Sequence, residues 1–479
     1  MVLIATTVAL TFLSCKDSSS AEAFSPSLRH YHRHGIPTPQ GPSHMPLCSS
    51  RRDLNPLIDW ANENQVQGIG ETITFQEDTG GGFGVTLPQP LEKGATLLKV
   101  PSSLLFNSEQ LRNDWNLKDA ETFLQDKKIG GQIPQFYLYV KLLQEHDKRE
   151  QSKWFAWLQS LPRDFSTAVS MDEVELECLP PFAWALASVE RLHLDLFRQA
   201  LEKVPKEILD PALRQEDDDL TEWIFNCVFT RCWSYPDDDD HEEAEFSKHT
   251  TEKMDRCDLV PLGDMFNHNA NQTIDIQYTP NGEAHFLTRY NAEPDTPLHL
   301  SYGKVTNPHR LLVIFGFVDT SIPEIFCQIL VNEPSDELVK IGYSTDKMVF
   351  RTHDGAIATA VWDVILYSIL KQVPEQQKLF YQACMDQTDL RSQFHAKYLL
   401  ETAITIRNYV SQSLNEVQEL LSGKVAAAEQ DGRDHPRLGL IKWHNEFMSE
   451  VFQKVQNGLD DTIREELANR KAVQKRQSK

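Results

Sequence analysis

The chain has 479 residues, 40% of them hydrophobic and 24% charged, the make-up of a globular protein too long for a single core. Its net charge is -23, unevenly spread: residues 1–52 hold five Lys or Arg against two Asp or Glu, leaving 42 basic and 68 acidic residues for the rest. A body this acidic excludes general nucleic-acid binding, which needs clustered cations to neutralise phosphates, and leaves a basic protein substrate open.

The N-terminus reads as an address. Met1 to Leu13 is uncharged and largely apolar, too short for a stable membrane span, and it runs into Ala21-Glu22-Ala23, a signal-peptidase pattern without the usual basic n-region. Residues 24–52 contain no acid but carry Arg29, Arg33, Arg51, Arg52 and four His among many Ser and Pro, which is transit-peptide composition. Residues 1–23 are predicted to be a signal peptide and 24–52 a plastid transit-like segment, with no membrane span in the mature form. A secretory signal followed by a basic arm is the alternative, and a cytoplasmic location is the other.

Folded sequence begins near Leu54. Pro56 to Asn64 has helical spacing, Glu71 to Phe75 alternates as a strand, Gly80 to Gly84 is a turn, and Val85–Leu87 and Ala95–Val100 read as short strands. From about 105 to 255 the pattern turns helical, with apolar faces at Tyr137–Leu143, Trp154–Leu158 and Pro181–Val189. Two acidic runs, Glu216–Asp219 and Asp237–Glu243, read as solvated loops and lack an EF-hand pattern. Strands return at Thr273–Tyr278, Ala284–Thr288 and Leu298–Tyr302. After Asn332-Glu333-Pro334-Ser335 a helical region follows through Ile357–Leu366, Phe394–Ala403 and Trp443–Ile463, and the basic tail from Arg470 is expected to fray. The eight Cys include no CxxC and no zinc-finger spacing, so they are expected to be reduced, mostly buried thiols, with no metal site.

Two segments carry the chemistry. Asp258 to Asn269 runs an apolar stretch into Asn267-His268, and Leu300-Ser301-Tyr302-Gly303 follows about thirty residues later. This order resembles the cofactor end of the plant-type SET-domain protein methyltransferases, the Rubisco large-subunit lysine methyltransferase-like family. The resemblance covers roughly residues 54–470 and is densest at 80–101, 152–162, 225–235, 258–269 and 300–318. The fold it implies is α+β: a SET-domain β-fold over 53–335 with a large helical insertion at about 105–255. An all-α substrate-binding domain follows at 336–470, then a basic tail at 471–479.

The resemblance implies S-adenosyl-L-methionine as cofactor, a protein substrate and methylation of lysine. Histidine methylation, known in one branch of the family, is an alternative, as is a non-catalytic SET-like module that only binds a partner. Rubisco large subunit and plastid aldolase both stay open as substrates. Residue by residue, Gly82, Phe83 and Gly84 match the G-x-G turn whose backbone holds the methionine part of the cofactor; a glycine lacks the Cβ that would keep a ligand away. Arg231 matches an Arg that helps bind the cofactor. Asn267 and His268 match the pair at the adenine end, and Asp264 takes either a cofactor role or a structural one. Tyr302 matches the catalytic Tyr, whose hydroxyl orients the amine and stabilises developing charge. Phe315, Gly316 and Phe317 match a Tyr-Gly-Phe beside the cofactor and channel. The sequence departs from that pattern in three places. Phe315 replaces a Tyr, Pro308 follows Asn307 in place of Ala, and the gap from Asn307 to Gly316 is one residue longer.

Overall fold

The computed structural model describes residues 53–77, 83–214, 218–234, 256–302, 307–326, 334–344 and 347–477. The presequence and the run Asp237–Glu243 lie outside the described residues. The first helix, α1 (Asn55–Glu63), has Pro56 in its first turn, where a missing N–H costs nothing. It buries Leu57, Trp60 and Ala61, and the Trp60 indole donates to the Lys153 carbonyl at 2.6 Å.

Short strands then build small sheets around one core. Strands β1 (Thr74–Glu77) and β2 (Phe83–Thr86) pair antiparallel, while β3 (Thr96–Val100) and β4 (Phe106–Asn107) go to other sheets. A helical stretch follows, with α2 (Ile133–Asp147), α3 (Phe155–Ser160), α4 (Glu173–Glu177), α5 (Pro181–Leu201) and α6 (Asp218–Arg231). The second half of the first acidic run is not a loop: Asp218 and Asp219 open α6, where the unpaired N–H groups of a helix start favour acidic residues.

The chain then returns to the sheets through β5 (Trp233–Ser234), β6 (Cys257–Leu259), β7 (Asn267–His268), β8 (Ile274–Tyr278), β9 (Ala284–Thr288) and β10 (Pro297–Leu300). One sheet has the order β1-β2-β10-β7, and the others are β3-β9-β8 and β4-β6-β5. Strand β10 lies antiparallel to β2, with Leu298 opposite Val85, and parallel to β7, with His299 opposite Asn267 and Leu300 opposite His268. This register is what brings residues 83–86, 267–268 and 297–302 to one place.

A single apolar cluster joins these sheets to the insertion helices, including the fully buried Trp157, Phe136, Phe197, Phe225, Phe266 and Phe286. A second cluster forms the C-terminal domain around α7 (Thr359–Ile369), α8 (Pro374–Met385), α9 (Asp389–Glu419) and α10 (Leu438–Gln477). That domain is not purely helical, because β11 (Glu324–Phe326) and β12 (Val349–Arg351) pair at its entrance. Nor does α10 fray at Arg470. It runs to Gln477, and Arg470 reaches Glu466 one turn back and Glu401 on α9.

A third cluster is the seam. Ala183 and Ala187 of α5, Leu312 and Val313, and Leu438 and Ile441 of α10 pack together there. The described cysteines 178, 227, 232, 257 and 384 are all free thiols, and all but Cys232 are buried. Among the described residues, no helix is long and apolar enough to cross a membrane.

Candidate active site

The site is assembled at the ends of β2, β7 and β10. Gly82 and Gly303 lie outside the described residues; the other candidate site residues are placed. The Asn267 side chain donates from Nδ2 to the Phe83 carbonyl at 3.1 Å. A Cβ on Gly84 would stand 3.5 Å from the same nitrogen, an ordinary contact distance. Phe83, Gly84 and Asn267 thus form one corner.

His268 sits in the next corner. Its ring accepts the Tyr302 backbone N–H at Nδ1, 3.0 Å away. The imidazole is buried, and burial pushes its pKa below the usual histidine range, although Asp319 nearby pulls the other way. With Nδ1 accepting, the neutral ring carries its proton on Nε2. Tyr302 is held at its other end by its hydroxyl, which donates to the Phe266 carbonyl at 3.0 Å. Burial raises the phenol pKa to about 12, so the hydroxyl keeps its proton at any ordinary pH.

Aromatic rings surround this tyrosine. Phe315 lies 5.1 Å from it, His268 5.2 Å and Phe317 6.2 Å at an interplanar angle of 76°, while Phe317 is also 5.5 Å from His268. These separations are those of favourable ring packing, and they make a largely apolar wall with one hydroxyl in it.

The segment that supplies Phe315 and Phe317 explains the departures seen in the sequence. The Asn307 side chain caps a short helical turn, accepting the N–H groups of His309 and Arg310, with Pro308 at its first position. Proline is favoured there because its nitrogen has no hydrogen to leave unpaired. The next five residues, Leu311–Phe315, form a π-helical turn. A π turn closes its hydrogen bonds over one more residue than an α turn, so it absorbs one extra residue without shifting what flanks it. Gly316 ends the turn at φ +74°, and a Cβ there would meet the Ser166 carbonyl carbon at 2.7 Å.

Asp264 and Arg231 form a separate pair beside the tyrosine. The Asp264 carboxylate is fully buried, accepts Arg231 Nη1 at 2.9 Å and faces the Trp157 indole N–H at 3.3 Å. The same Arg231 nitrogen donates to the Asp264 carbonyl at 3.0 Å. Arg231 is therefore committed to Asp264, while its buried Nε has no hydrogen-bond partner among the described residues.

Sequence reasoning missed Asp319. Its Oδ2 lies 3.6 Å from His268 Nε2, and its Oδ1 accepts both the backbone N–H and the hydroxyl of Ser321, at 2.8 and 2.7 Å. The available signal was an Asp two residues before a Ser, a local turn pattern directly after the Phe-Gly-Phe segment.

Comparison with known proteins adds relatives at low identity. The chain is 23% identical over 375 residues to the actin-histidine N-methyltransferase of Gallus gallus, a match that covers 74% of this chain and 56% of that protein. It is 27% identical over 218 residues to protein SET DOMAIN GROUP 40 of Arabidopsis thaliana, covering 45% and 39% respectively. The chain spans about half the length of these curated relatives. No family model matches it. Among solved structures, the SET domain of LSMT bound to lysine and AdoHcy aligns at a TM-score of 0.54 and 13% identity, over 85% of this chain and 91% of that one. Rubisco LSMT bound to AdoMet aligns at 0.54 and 15%, over 86% and 92%. The overall fold, a SET-type β-fold with helical parts, is therefore that of these solved structures.

Proposed function

We propose that the protein transfers a methyl group from S-adenosyl-L-methionine to a side-chain nitrogen of a protein, with lysine as the acceptor. The observation that carries this reading is Tyr302, fixed at its backbone by His268 and at its hydroxyl by Phe266, and ringed by Phe315 and Phe317. Bound S-adenosyl-L-methionine supplies a sulfonium methyl that an amine can displace in line. The residues fit the group. Gly84 leaves the backbone of β2 accessible, Asn267 keeps Oδ1 to accept from an amino group of the cofactor, and Arg231 keeps a buried Nε–H to donate to a carboxylate.

The chain's own contribution is positioning and exclusion of water, which are the main needs of such a displacement. The aromatic wall disfavours a charged ammonium, so it promotes the neutral amine that lysine must present. Tyr302 acts as a fixed dipole beside the reacting atoms and not as a base, because its phenol stays protonated. A groove of about 600 Å³ has room for a short segment of a protein substrate. It opens at Thr320 and Ser321, just past Phe317, and Trp443, Glu446 and Glu450 of α10 form its far wall.

Histidine as acceptor is the second reading, favoured by the match to actin-histidine N-methyltransferases from Gallus gallus and Mus musculus. The pH dependence separates the two. A lysine acceptor, with a reference pKa of about 10.4, should give single-turnover rates that keep rising toward alkaline pH. A histidine acceptor, near ~6.5, should level off around neutrality. Calorimetry should show binding of S-adenosyl-L-methionine without added metal, and no heat with it or its demethylated product would end the enzyme reading. Tyr302→Phe should lower kcat strongly while leaving cofactor affinity nearly unchanged.

We also infer that residues 1–52 direct the chain to the plastid stroma, on the strength of Ala21-Glu22-Ala23-Phe24 and the acid-free stretch to Arg52. That junction resembles the bipartite plastid presequence of diatoms and related algae, a signal peptide followed by an aromatic residue and a basic stretch, so a fusion of these residues to a fluorescent protein should enter the plastid of a diatom-like cell, and Phe24→Ala should stall it. Secretion of the unmutated fusion would sink the idea.

A further inference from the structure

His268 uses one ring nitrogen on the tyrosine and aims the other at a carboxylate. Its side chain is 2% exposed, and Nε2 stands 3.6 Å from Asp319 Oδ2. Neither atom has a hydrogen-bond partner among the described residues. The opposite oxygen of Asp319 is tied down by the N–H and hydroxyl of Ser321, so the free oxygen has a fixed direction. The order Ser321, Asp319, His268, Tyr302 backbone is therefore continuous, with one gap slightly too long for a hydrogen bond.

We propose that Asp319 is a positioning residue for the methyl-transfer reaction, acting by holding His268 in the tautomer that anchors Tyr302. A carboxylate only accepts, so it favours the proton on Nε2. That leaves the Nδ1 lone pair for the Tyr302 N–H. The opposite tautomer, or the doubly protonated ring, would put N–H against N–H at that contact and release the tyrosine main chain. Among the described residues, the charged or titratable groups around the imidazole are Asp319, from the turn after Phe317, and His299, on β10, with the rings of Tyr302 and Phe317 packed against it. Asp319 favours the protonated ring, while burial and His299 oppose it. The site should accordingly lose activity on the acid side as His268 takes up its second proton. The inference rests on the methyl-transfer reading for its kinetic part only.

Asp319→Asn is the informative change, because it preserves shape. Ser321 donates twice to Oδ1, so the new amide keeps its oxygen there and turns its NH2 toward His268. A donor then faces Nε2, and the preferred tautomer reverses. The expected result is a kcat at least tenfold lower, with KM for the protein substrate and cofactor affinity moving less than twofold. The acid limb of the rate profile should also move to lower pH, since the carboxylate's pull on the second proton is gone. Asp319→Glu should recover part of kcat.

The structural part is read without any substrate, by 15N NMR of ring-labelled histidine in the full chain, with the His268 signals assigned by their loss in His268→Gln. The parent protein should show an accepting Nδ1 and a protonated Nε2, and Asp319→Asn should invert them. A parent ring protonated on Nδ1, or an Asp319→Asn ring unchanged in tautomer, overturns the proposal whether or not a methyl acceptor has been found. An inverted tautomer with no methyl transfer in the parent would leave the role of Asp319 at His268 standing and count against the enzyme reading instead.

Discussion

Gly316→Ala tests whether the turn that aims Phe315 and Phe317 is held as tightly as its geometry indicates. The residue sits at φ +74° and ψ 32°, a left-handed conformation that costs an L-residue roughly 1–2 kcal/mol. The new Cβ would also stand 2.7 Å from the Ser166 carbonyl carbon and 3.0 Å from both Ser166 O and Thr167 N. These are main-chain atoms and cannot rotate aside, so an overpacking cost of about 1–3 kcal/mol adds to the first. The total is roughly 2–5 kcal/mol, a large share of a typical stability of about 5–15 kcal/mol.

Gly342→Ala is the control. It has φ +89°, but a Cβ there would meet nothing within 4 Å, so this variant bears the conformational cost alone. Urea unfolding of both variants isolates the clash as the difference between them, and single-turnover methyl transfer reports the displacement of the two phenylalanines. If Gly316→Ala is no less stable than Gly342→Ala, the close packing of this turn on Ser166 is not what fixes it.

Arg231→Ala should cost about 3–5 kcal/mol, because it leaves the fully buried Asp264 carboxylate without its cation, and adding Asp264→Asn should recover part of the loss; urea melts of the single and double variants decide it. Deleting Ile314 should let the segment 311–315 close as an ordinary α-helix with Phe315 still against Tyr302, since the π turn holds that one residue between fixed flanks. Methyl transfer and cofactor affinity should then both stay within a few-fold of the parent, and a collapse of turnover would show that the flanks do shift. His444 is fully buried at the seam, and burial lowers its pKa to about 4. The unfolded chain takes up that proton first, so the stability it lends is complete above its unfolded value of about 6.5 and is lost as pH falls toward 4. The loss is at most about 3 kcal/mol, and His444→Gln should flatten that part of the stability–pH curve.

Much of this was legible in the sequence, and the reasons differ by element. The insertion and C-terminal helices show in the spacing of their apolar residues because each buries one face, as α5 does with Ala183, Ala187 and Leu194. Gly316 was legible through the Phe-Gly-Phe match, and the structure supplies the reason: a backbone at positive φ against another main chain leaves no room for a side chain. The strands β11 and β12 were not, since three residues give too short a run to show alternation within a helical region. The Arg231–Asp264 pair spans 33 residues and arises from tertiary packing alone. The continuation of α10 past Arg470 has the same origin, a long-range clasp on Glu401 that local composition cannot reveal.

The one-residue excess between Asn307 and Gly316 shows how such a gap becomes physical. In sequence it is a departure from a pattern. In the structure it is a π turn whose buried Leu312 and Val313 enter the seam with α5 and α10, while Phe315 at its end reaches Tyr302. Burying side chains of that kind contributes roughly 1.5–3 kcal/mol each, and here the contribution falls on the element that places the aromatic wall. The C-terminal domain reaches the same turn from the other side: the His444 ring lies tilted against His309 at 4.9 Å, Asn445 donates to the Cys178 carbonyl at 3.0 Å, and the Arg437 guanidinium donates to the Phe165 carbonyl, next to Ser166, at 2.8 Å. The domain that lines one wall of the groove therefore also braces the backbone against which Gly316 is packed. The groove residues on α10 and the placement of Phe315 are mechanically linked through this apolar seam, where tight packing transmits displacement instead of absorbing it.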